Sequence, residues 1–528
     1  MSSPYDVVVI GAGSNSLTAA AYMAKAGKKV LVLEKNARIG GGVTSVEGAP
    51  GFIHDPHAAG IIPAVTNPAV SRNELELTTK FGLQFKEWKA AFTTLFDDGT
   101  VLATSQSIDE TCASIAKFSE KDAHRYREFA TMCVKLGPLL GVGMVSPPAP
   151  FSKFLSFLEN AGDLGSELAG SFFNSAYDVI CQNFESLEVR LHYLKWIGEA
   201  MENPEAYGTG VLVYNLVAMV HGSGAYLVVG GTQKLSDALA DCIRHHGGTV
   251  RTQAEVVKVL VSGDRATGVV LADGEKITAK EAVVACIHPW NLKKFIPEID
   301  DRVAADARKV RLSNHGAVNQ QISLSRIPKF ISDDPILHNS MCVEFMPRGD
   351  FLGMRKIYDG YRYGEIPHGH FNPLAIMNSL LDHTRVPSPD QMSLYLYHFA
   401  PMELADGGLQ GWDAIRQEYG DYVWNAFKKF TTNIDDSCIL GRLIETPLDH
   451  HRHSGSMVNG DIFGIGTAGG QILGRRPTPA LAGFRVPKIG GLYLSGPFMH
   501  PGGTVTLGGR ATAIAMYQDM GLDLNKGF

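Results

Sequence analysis

The stretch Tyr5–Lys35 constrains the fold more than any other part of the 528-residue chain. It reads YDVVVIGAGSNSLTAAAYMAKAGKKVLVLEK, in which a β-branched run ends on glycine, an alanine-rich run has apolar residues at helical spacing, and a second apolar run ends on an acid. Strand, tight turn, helix and strand within about 30 residues predict a βαβ unit. An acid about 20 positions after the glycines is typical of a dinucleotide-binding site.

The residue types in this unit suit the ligand. Gly11 allows the chain to turn sharply out of the strand, and Gly13 leaves space for a pyrophosphate at the helix N-terminus, where the dipole favours negative charge. Glu34 can accept hydrogen bonds from a ribose diol and would repel a 2′-phosphate. The predicted ligand is therefore FAD or NAD rather than NADP. Ser16 replaces the third glycine of the usual pattern.

Composition narrows the class of protein. The net charge of −6 argues against nucleic-acid binding. The seven cysteines are odd in number and contain no CxxC pair, which favours reduced thiols over a metal site or a disulfide framework. Because MSSPYD leads directly into the first strand, we expect no signal sequence and a cytoplasmic location.

Two uncharged stretches raise the question of membrane contact. Residues 206–233 carry no formal charge but are interrupted by glycines, which predicts a buried helix followed by a turn rather than a membrane span. The stretch from Leu136 continues into Phe151, Phe154 and Phe157. Core packing is the favoured interpretation there, and the alternatives are a hydrophobic entrance or peripheral contact with a membrane.

The sequence after Glu34 brings a specific resemblance. Arg38, which would place a cation beside a pyrophosphate, is followed by Gly40–Gly42. An acid-ended second strand followed by R-x-G-G resembles the two-part FAD fingerprint of the flavin-containing amine oxidoreductase and phytoene desaturase superfamily. The resemblance implies FAD, with residues 40–43 beside it and His54, Asp55 and His57 near the flavin ring or the substrate.

Two later segments extend the resemblance. Residues 230–286 again show alternating helix and strand patterns, and they resemble the second FAD block of the superfamily. In that block the backbone at the position matching Val256 contacts the adenine. The C-terminal segment contains RPTP at Arg476–Pro479, the strand GLYLSG and then HPGG from His500. These elements resemble the end of phytoene desaturase-like proteins. A strand that feeds a glycine-rich loop and a helix N-terminus also supplies backbone donors for a flavin carbonyl or for phosphates.

The predicted fold class is α/β, with a Rossmann-type FAD-binding domain assembled from three chain segments and an inserted substrate domain. Residues 1–66, 226–288 and 456–528 are assigned to the FAD-binding domain. Residues 67–225 and 289–455 are assigned to the substrate domain, with a helical part in the first insertion and an antiparallel sheet in the second, where strand patterns such as MSLYLYHFAP alternate.

The candidate site residues follow from these assignments. The residues predicted to contact the cofactor are Gly11, Gly13, Ser14, Asn15, Ser16, Glu34, Lys35, Arg38, Gly41, Gly42, Val43, Val256, Gly496, Gly502, Gly503 and Thr504. The candidate catalytic residues are His500, His57 and Tyr363, and Arg362 and Arg385 are candidate substrate ligands. These polar side chains favour a substrate that bears a carbonyl or a carboxylate, which arginine clamps well.

The predicted function is FAD-dependent dehydrogenation of a C–C bond by hydride transfer to flavin. Two alternatives stay open: a flavin amine oxidase that acts on a C–N bond, and a non-catalytic flavoprotein that binds a protein partner. The expected partners are a small-molecule substrate and an electron acceptor, which is oxygen, a quinone or another redox protein. Homo-oligomerisation is left open.

Overall fold

The computed structural model describes residues 5–60, 66–367, 372–467, 469–503 and 505–527. Its first sheet has seven strands drawn from three distant parts of the chain. In spatial order they are Val256–Ser262, Arg265–Leu271, Lys276–Ala285, Tyr5–Ile10, Val30–Leu33 and Thr249–Arg251, with Leu492–Leu494 paired to Lys276–Ala285.

The strands of the βαβ unit lie in the parallel part of the first sheet. Tyr5–Ile10 pairs in parallel with Val30–Leu33 on one side and with Lys276–Ala285 on the other. Both faces of this region are covered, which explains the nearly continuous apolar runs. The helix Ser14–Lys25 packs between the helices Gln233–His245 and Leu507–Met520. The predicted α/β fold with a three-segment Rossmann-type domain is confirmed.

A second sheet of seven strands lies in the insertions. In spatial order the strands are Ile439–Glu445, Gly316–Leu324, Met392–Ala400, Leu374–Ile376, Ser340–Met346, Ala90–Phe96 and Val101–Ser105. Only the pair Ser340–Met346 and Ala90–Phe96 is parallel. The last two strands belong to the first insertion, so that insertion is less helical than its sequence predicts. Two small sheets pair Val46–Ala49 with Phe52–His54 and Phe85–Trp88 with Ala225–Val228.

The α-helices surround the two sheets. They are Ser14–Lys25, Pro68–Ser71, Ile108–Ala116, Glu120–Met144, Phe151–Asn160, Gly162–Ser171, Ala176–Asn183, Leu187–Gly198, Gly210–Ser223, Gln233–His245, Leu292–Phe295, Asp301–Arg308, Phe351–Gly360, Trp412–Lys428, Pro447–His453, Leu507–Met520 and Leu524–Gly527. The helix Gly210–Ser223 confirms the buried helix predicted within residues 206–233. In the aromatic stretch, Leu158 is buried whereas Phe157 exposes 48% of its surface. Within the described ranges, no helix is both long and apolar enough to cross a membrane.

Gly509 explains how the βαβ helix packs without a third glycine at Ser16. The Asn15 side chain accepts a hydrogen bond from the Gly509 N–H at 3.0 Å. A Cβ atom on Gly509 would lie far inside van der Waals distance of the Asn15 carbonyl oxygen and 2.7 Å from Thr18 Cβ. The close approach of the two helices is therefore supplied by the C-terminal helix.

We expect Gly509→Ala to destabilise the protein by about 1–3 kcal/mol, because the two helix backbones must separate. Thermal unfolding would measure the loss. Gly222→Ala is the matched control, since Gly222 is also helical but has no atom within 4 Å of an added Cβ. Equal stability of the two variants would contradict this account of the helix packing.

Candidate active site

One cavity of about 620 Å³ extends from the glycine turn of the first sheet to the second sheet. Glu34 and Val256 line one end, and Phe92, Tyr395 and Tyr397 line the other. The predicted site residues that line it are Gly11, Gly13, Ser14, Asn15, Ser16, Glu34, Lys35, Gly41, Gly42, Val43, His57, Val256, Gly496 and Gly503. The three sequence segments that carry the glycine motifs therefore meet around a single space.

Two glycine segments form the wall near the first strand. Gly11 has a φ of +84°, which favours glycine, and it turns the chain toward the helix Ser14–Lys25. The Gly40 N–H donates to the Ala12 carbonyl at 2.8 Å. A Cβ on Gly41 would lie 3.2 Å from the Gly13 Cα. The wall is therefore built from closely packed backbone.

This end of the cavity suits an anion and a diol. Gly13 caps the helix without a side chain, and the first helical turn contains no acidic residue. The N–H groups and the dipole at such a helix start favour a phosphate. Glu34 accepts hydrogen bonds from the N–H groups of Ala12 at 2.8 Å and Asn36 at 2.9 Å. Each carboxylate oxygen retains capacity for a hydroxyl donor.

Arg476 organises the C-terminal loop, a role that the sequence analysis did not assign. Its guanidinium is fully buried and donates to five backbone carbonyls, those of Ile465, Gly466, Gln471, Pro497 and Met499. Burial lowers the pKa of Arg476 to about 10. The RPTP motif drew attention to this segment of the sequence, but it did not predict that the Arg476 guanidinium bonds to backbone carbonyls.

Two of the predicted glycines in the C-terminal loop line the cavity, and a third packs against Arg476. Gly496 and Gly503 line the cavity, whereas Gly502 does not. A Cβ on Gly502 would lie 2.5 Å from the Arg476 Cζ, so Gly502 makes room for that guanidinium. Thr504 lies outside the described residues.

His500 is placed outside the cavity lining, in contrast to its predicted catalytic role. Its Nε2 donates to the Gly143 carbonyl at 2.5 Å, at the end of the helix Glu120–Met144. Burial lowers its pKa to about 4, so the imidazole is neutral near pH 7. We therefore assign His500 to holding the loop against that helix.

Acid should destabilise the protein through its buried histidines. Seven have a pKa lowered by burial to about 3 or 4: His54, His192, His288, His315, His398, His450 and His500. Such groups bind fewer protons when folded, so their stability contribution is full above pH 6.5 and is lost as the pH falls toward 4. Three buried carboxyl groups, Glu344, Glu445 and Asp461, have a pKa raised to between about 6 and 8. Their contribution to stability is lost as the pH rises above 4.5, which is the opposite dependence. The seven histidines outnumber them. Each histidine contributes up to about 1.4 kcal/mol per pH unit.

Denaturant unfolding at pH 7, 6 and 5 would measure this loss. We expect the free energy of unfolding to fall over that range, and to fall less steeply in His500→Gln. His124→Gln provides the control substitution, because it removes a histidine whose side chain is 79% exposed rather than buried. A protein equally stable at pH 7 and pH 5 would contradict the prediction.

Arg385 occupies a buried ion-pair cluster rather than a substrate site. Its Nη1 lies 2.6 Å from an Asp55 carboxylate oxygen and its Nε lies 3.1 Å from Asp382. Its Nη2 donates to the Val228 carbonyl at 2.7 Å. The side chains of all three charged residues are 2% exposed or less, and none of the three lines the cavity. The predicted carboxylate clamp is therefore replaced by a structural role.

The other predicted polar residues also lie away from the cavity. Tyr363 exposes 63% of its surface. The exposed Arg362 donates to the Asn314 side chain, and the exposed Arg38 donates to the Ser45 carbonyl at 2.9 Å. None of these three lines the cavity. All three are therefore placed at the surface, outside the cavity lining.

His57 lines the cavity and belongs to a cluster with His450, His453 and Glu445. Its ring centroid lies 5.2 Å from that of His450 and 5.1 Å from that of His453. Ligand atoms of His57, Glu445 and His450 lie within 4.8 Å of one another, which is a donor set found in metal sites. Burial, followed by the neighbouring histidines, lowers the pKa of His57 well below 6.5. His57 is thus neutral near pH 7.

The far end of the cavity uses residues that the sequence analysis missed. Strand pairing aligns Phe92 with Cys342, Ile376 with Tyr395, and Leu374 with Tyr397. Since alternate residues of a strand share a face, these six side chains form one surface of the second sheet, and all six line the cavity. Glu199, Met201, Leu216, Met219 and Met341 complete this end. The alternation in MCVEFM and MSLYLYHFA was the available signal.

The glycine turn, the acid-ended strand and the shared cavity define an α/β dinucleotide-binding protein of the oxidoreductase type. Residues 17–324 match the family model described as flavin-containing amine oxidoreductase. The chain belongs to this family, its cofactor is FAD, and it is a flavin-dependent oxidoreductase of the amine oxidase and desaturase superfamily. The predicted resemblance is confirmed.

Relatives match over almost the whole chain. Pyridine nucleotide-disulfide oxidoreductase domain-containing protein 2 of Rattus norvegicus is 30% identical over 98% of this chain and 94% of its own. A limonene dehydrogenase component of Castellaniella defragrans is 26% identical over 98% of this chain and 95% of its own. Among solved structures, an oxidoreductase from Methanosarcina mazei superposes with a TM-score of 0.61 at 15% identity, covering 97% of this chain and 99% of that chain, which supports the fold.

The residues present fit FAD. A Cβ on Gly13 would have no protein atom within 4 Å, so the helix N-terminus opens onto the cavity where a pyrophosphate needs access. Glu34 lines the same end with acceptor capacity for a ribose. Glycines at positions 11, 13 and 40–42 form part of the wall at this end.

Proposed function

We propose that the protein dehydrogenates a C–C bond of a small, largely apolar substrate. In this proposal Glu34, Gly13 and Val256 hold the ribose, pyrophosphate and adenine of FAD, and the glycine segments at 40–43 and 496–503 extend along it. The sequence-assigned segments 1–66, 226–288 and 456–528 hold the cofactor, and the two insertions hold the substrate.

The residues that line the far end of the cavity are the main support for the proposal. It presents Phe92, Leu216, Met219, Leu374 and Ile376 together with the two tyrosines, and among the described residues Glu199 is the one carboxylate that lines that end. Two lysines line the cavity: Lys35 follows Glu34, and Lys294 belongs to the helix Leu292–Phe295, which packs against the strand that begins at Val256. A carboxylate clamp therefore has no support, and a hydrocarbon or a neutral carbonyl compound fits this surface better.

The chemistry needs a hydride acceptor and a proton acceptor. Bound FAD supplies the first, because flavin takes a hydride from carbon. The protein must orient the substrate between the tyrosines and the cofactor end, exclude water and accept the proton from the neighbouring carbon. The relative that is named as a limonene dehydrogenase component supports dehydrogenation of an apolar compound.

Oxidation of a C–N bond is the second candidate, and it is favoured by the family description. Glu199 beside two tyrosines could attract an ammonium group. The Lys195 Nζ lies 3.3 Å from the Glu199 Oε1, however, so the charge of that carboxylate is already compensated. This ion pair favours the C–C reaction.

Anaerobic titration of the purified holoprotein would test the proposal. The ligands are matched compounds of one cyclic skeleton: the hydrocarbon, the ketone, the carboxylate and the amine. We expect the flavin absorbance to bleach with the hydrocarbon or the ketone and the product to have lost two hydrogens. Bleaching by the amine alone, with release of ammonia, would overturn the proposal in favour of amine oxidation.

A further inference from the structure

We propose that Glu199 is the proton acceptor of this reaction and that Lys195, Glu344 and Tyr397 are its positioning residues. The inference rests on the proposed function and adds the residue that removes the proton. A buried group of ionisable side chains lies at the far end of the cavity, and the sequence motifs identify none of them.

Glu199 is the member of this group whose carboxylate reaches the cavity. It follows the last residue of the helix Leu187–Gly198 and lines the cavity, with 24% of its side chain accessible. Lys195, one turn earlier, has 2% of its side chain accessible and does not line the cavity. Its Nζ lies 3.7 Å from the Phe399 ring centroid and 3.3 Å from the Glu199 Oε1. The lysine thus contacts the carboxylate without itself lining the cavity.

Glu344 keeps the local charge balanced. It is fully buried, and its carboxyl oxygens have no hydrogen-bond partner of ordinary geometry among the described residues. Burial raises its pKa to about 8, with Lys195 lowering it and Glu199 raising it further. Glu344 is therefore protonated at pH 7, and the carboxylate that pairs with Lys195 is that of Glu199.

Tyr397 lines the cavity beside that carboxylate. Its hydroxyl interacts electrostatically with Glu199 and donates to the Met201 Sδ at 3.8 Å, and its ring stacks on Tyr395 with the centroids 5.9 Å apart. Burial and then Glu199 hold the pKa of Tyr397 well above its usual value, so it stays a neutral donor. The helix end is held as well, since a Cβ on Gly198 would collide with the Tyr358 ring.

The environment also suits the chemistry of a base. Burial raises the pKa of Glu199, against the lowering effects of Lys195 and Tyr397. A carboxylate with a raised pKa is a better proton acceptor near neutral pH than an exposed one. In the reaction, one substrate carbon would lose its hydrogen together with the bonding pair, for which bound FAD would be the hydride acceptor. The neighbouring carbon gives a proton to a Glu199 oxygen, and the C–H pair left behind becomes the second bond of C=C.

Glu199→Gln in the holoprotein tests this inference. We expect turnover to fall about 100-fold or more, as for the loss of a general base, with FAD content and substrate binding unchanged. Glu205→Gln is the matched control, because Glu205 pairs with Arg355 near the surface and does not line the cavity. Full turnover in Glu199→Gln would overturn the inference while leaving the proposed function intact.

An infrared titration gives a readout that does not depend on turnover. The C=O band of protonated carboxyl groups should lose one titrating component in Glu199→Gln relative to the wild type. Lys195→Met should shift that component to higher pH, together with the acidic limb of kcat/KM, because Lys195 lowers the pKa of Glu199.

If Glu199→Gln fails to fold, Glu199→Asp retains the carboxylate for the same measurements. An identical titration in wild type and Glu199→Gln would contradict the role. Failure of every ligand to bleach the flavin would instead count against the proposed function.

Discussion

Gly13→Val should purify folded but with at least about tenfold less bound FAD, equivalent to about 1.4 kcal/mol or more of binding free energy. An added Cβ at Gly13 has no protein atom within 4 Å, so the valine can be accommodated without displacing the chain. The new side chain enters the cavity at the helix N-terminus, where the phosphate needs close approach to backbone donors. The flavin-to-protein absorbance ratio measures the loss, and circular dichroism measures the fold.

Gly170→Val is the matched control for this experiment. Gly170 is an exposed helical glycine that also has open space around an added Cβ, and it does not line the cavity. It should retain full FAD content. A Gly13→Val protein with the flavin content of the wild type would show that the cofactor does not use this helix N-terminus.

Arg385→Met should lower the free energy of unfolding by about 3–5 kcal/mol. The substitution leaves the carboxylates of Asp55 and Asp382 buried without their shared cation. Asp55 also accepts hydrogen bonds from Thr232, and Asp382 accepts one from the Gly230 N–H. The cluster therefore joins the start of the chain to the second insertion through residues 228–232. Urea unfolding of the holoprotein would measure the difference.

The control is Arg362→Met, the other arginine that the sequence suggested as a substrate ligand. Arg362 is exposed and away from the cavity, so we expect a change within about 0.5 kcal/mol. If Arg385→Met kept the stability of the wild type and raised only the KM, Arg385 would be a substrate ligand after all.

The cofactor end of the site could be predicted because its signals are local in sequence. The turn at Gly11 and Gly13, the acid at Glu34 and the strand Leu492–Leu494 each reveal their structure through neighbouring residues. Their convergence on one cavity follows from the parallel pairing of Lys276–Ala285 with both Tyr5–Ile10 and Leu492–Leu494. The resemblance to a known family supplied the order of these segments.

The substrate end could not be predicted because strand register creates it. Tyr395 and Leu374 reach the same wall as Phe92 and Cys342 only after four strands from two insertions have paired. Glu199 joins them from the end of a helix whose sequence shows no motif. Arg385 and His500 were assigned to the site because a polar residue in a loop does not reveal its partner. Asp55 lies 330 positions from Arg385, and Gly143 lies 357 positions from His500.

A crystal structure of the FAD-loaded protein tests the central claim most directly, namely that one cavity holds the cofactor at one end and the substrate at the other. We predict that the dinucleotide contacts Gly13, Glu34 and Val256 and leaves the surface formed by Glu199, Tyr395 and Tyr397 open. A cofactor bound elsewhere, or one that fills the space beside Glu199, would contradict the account.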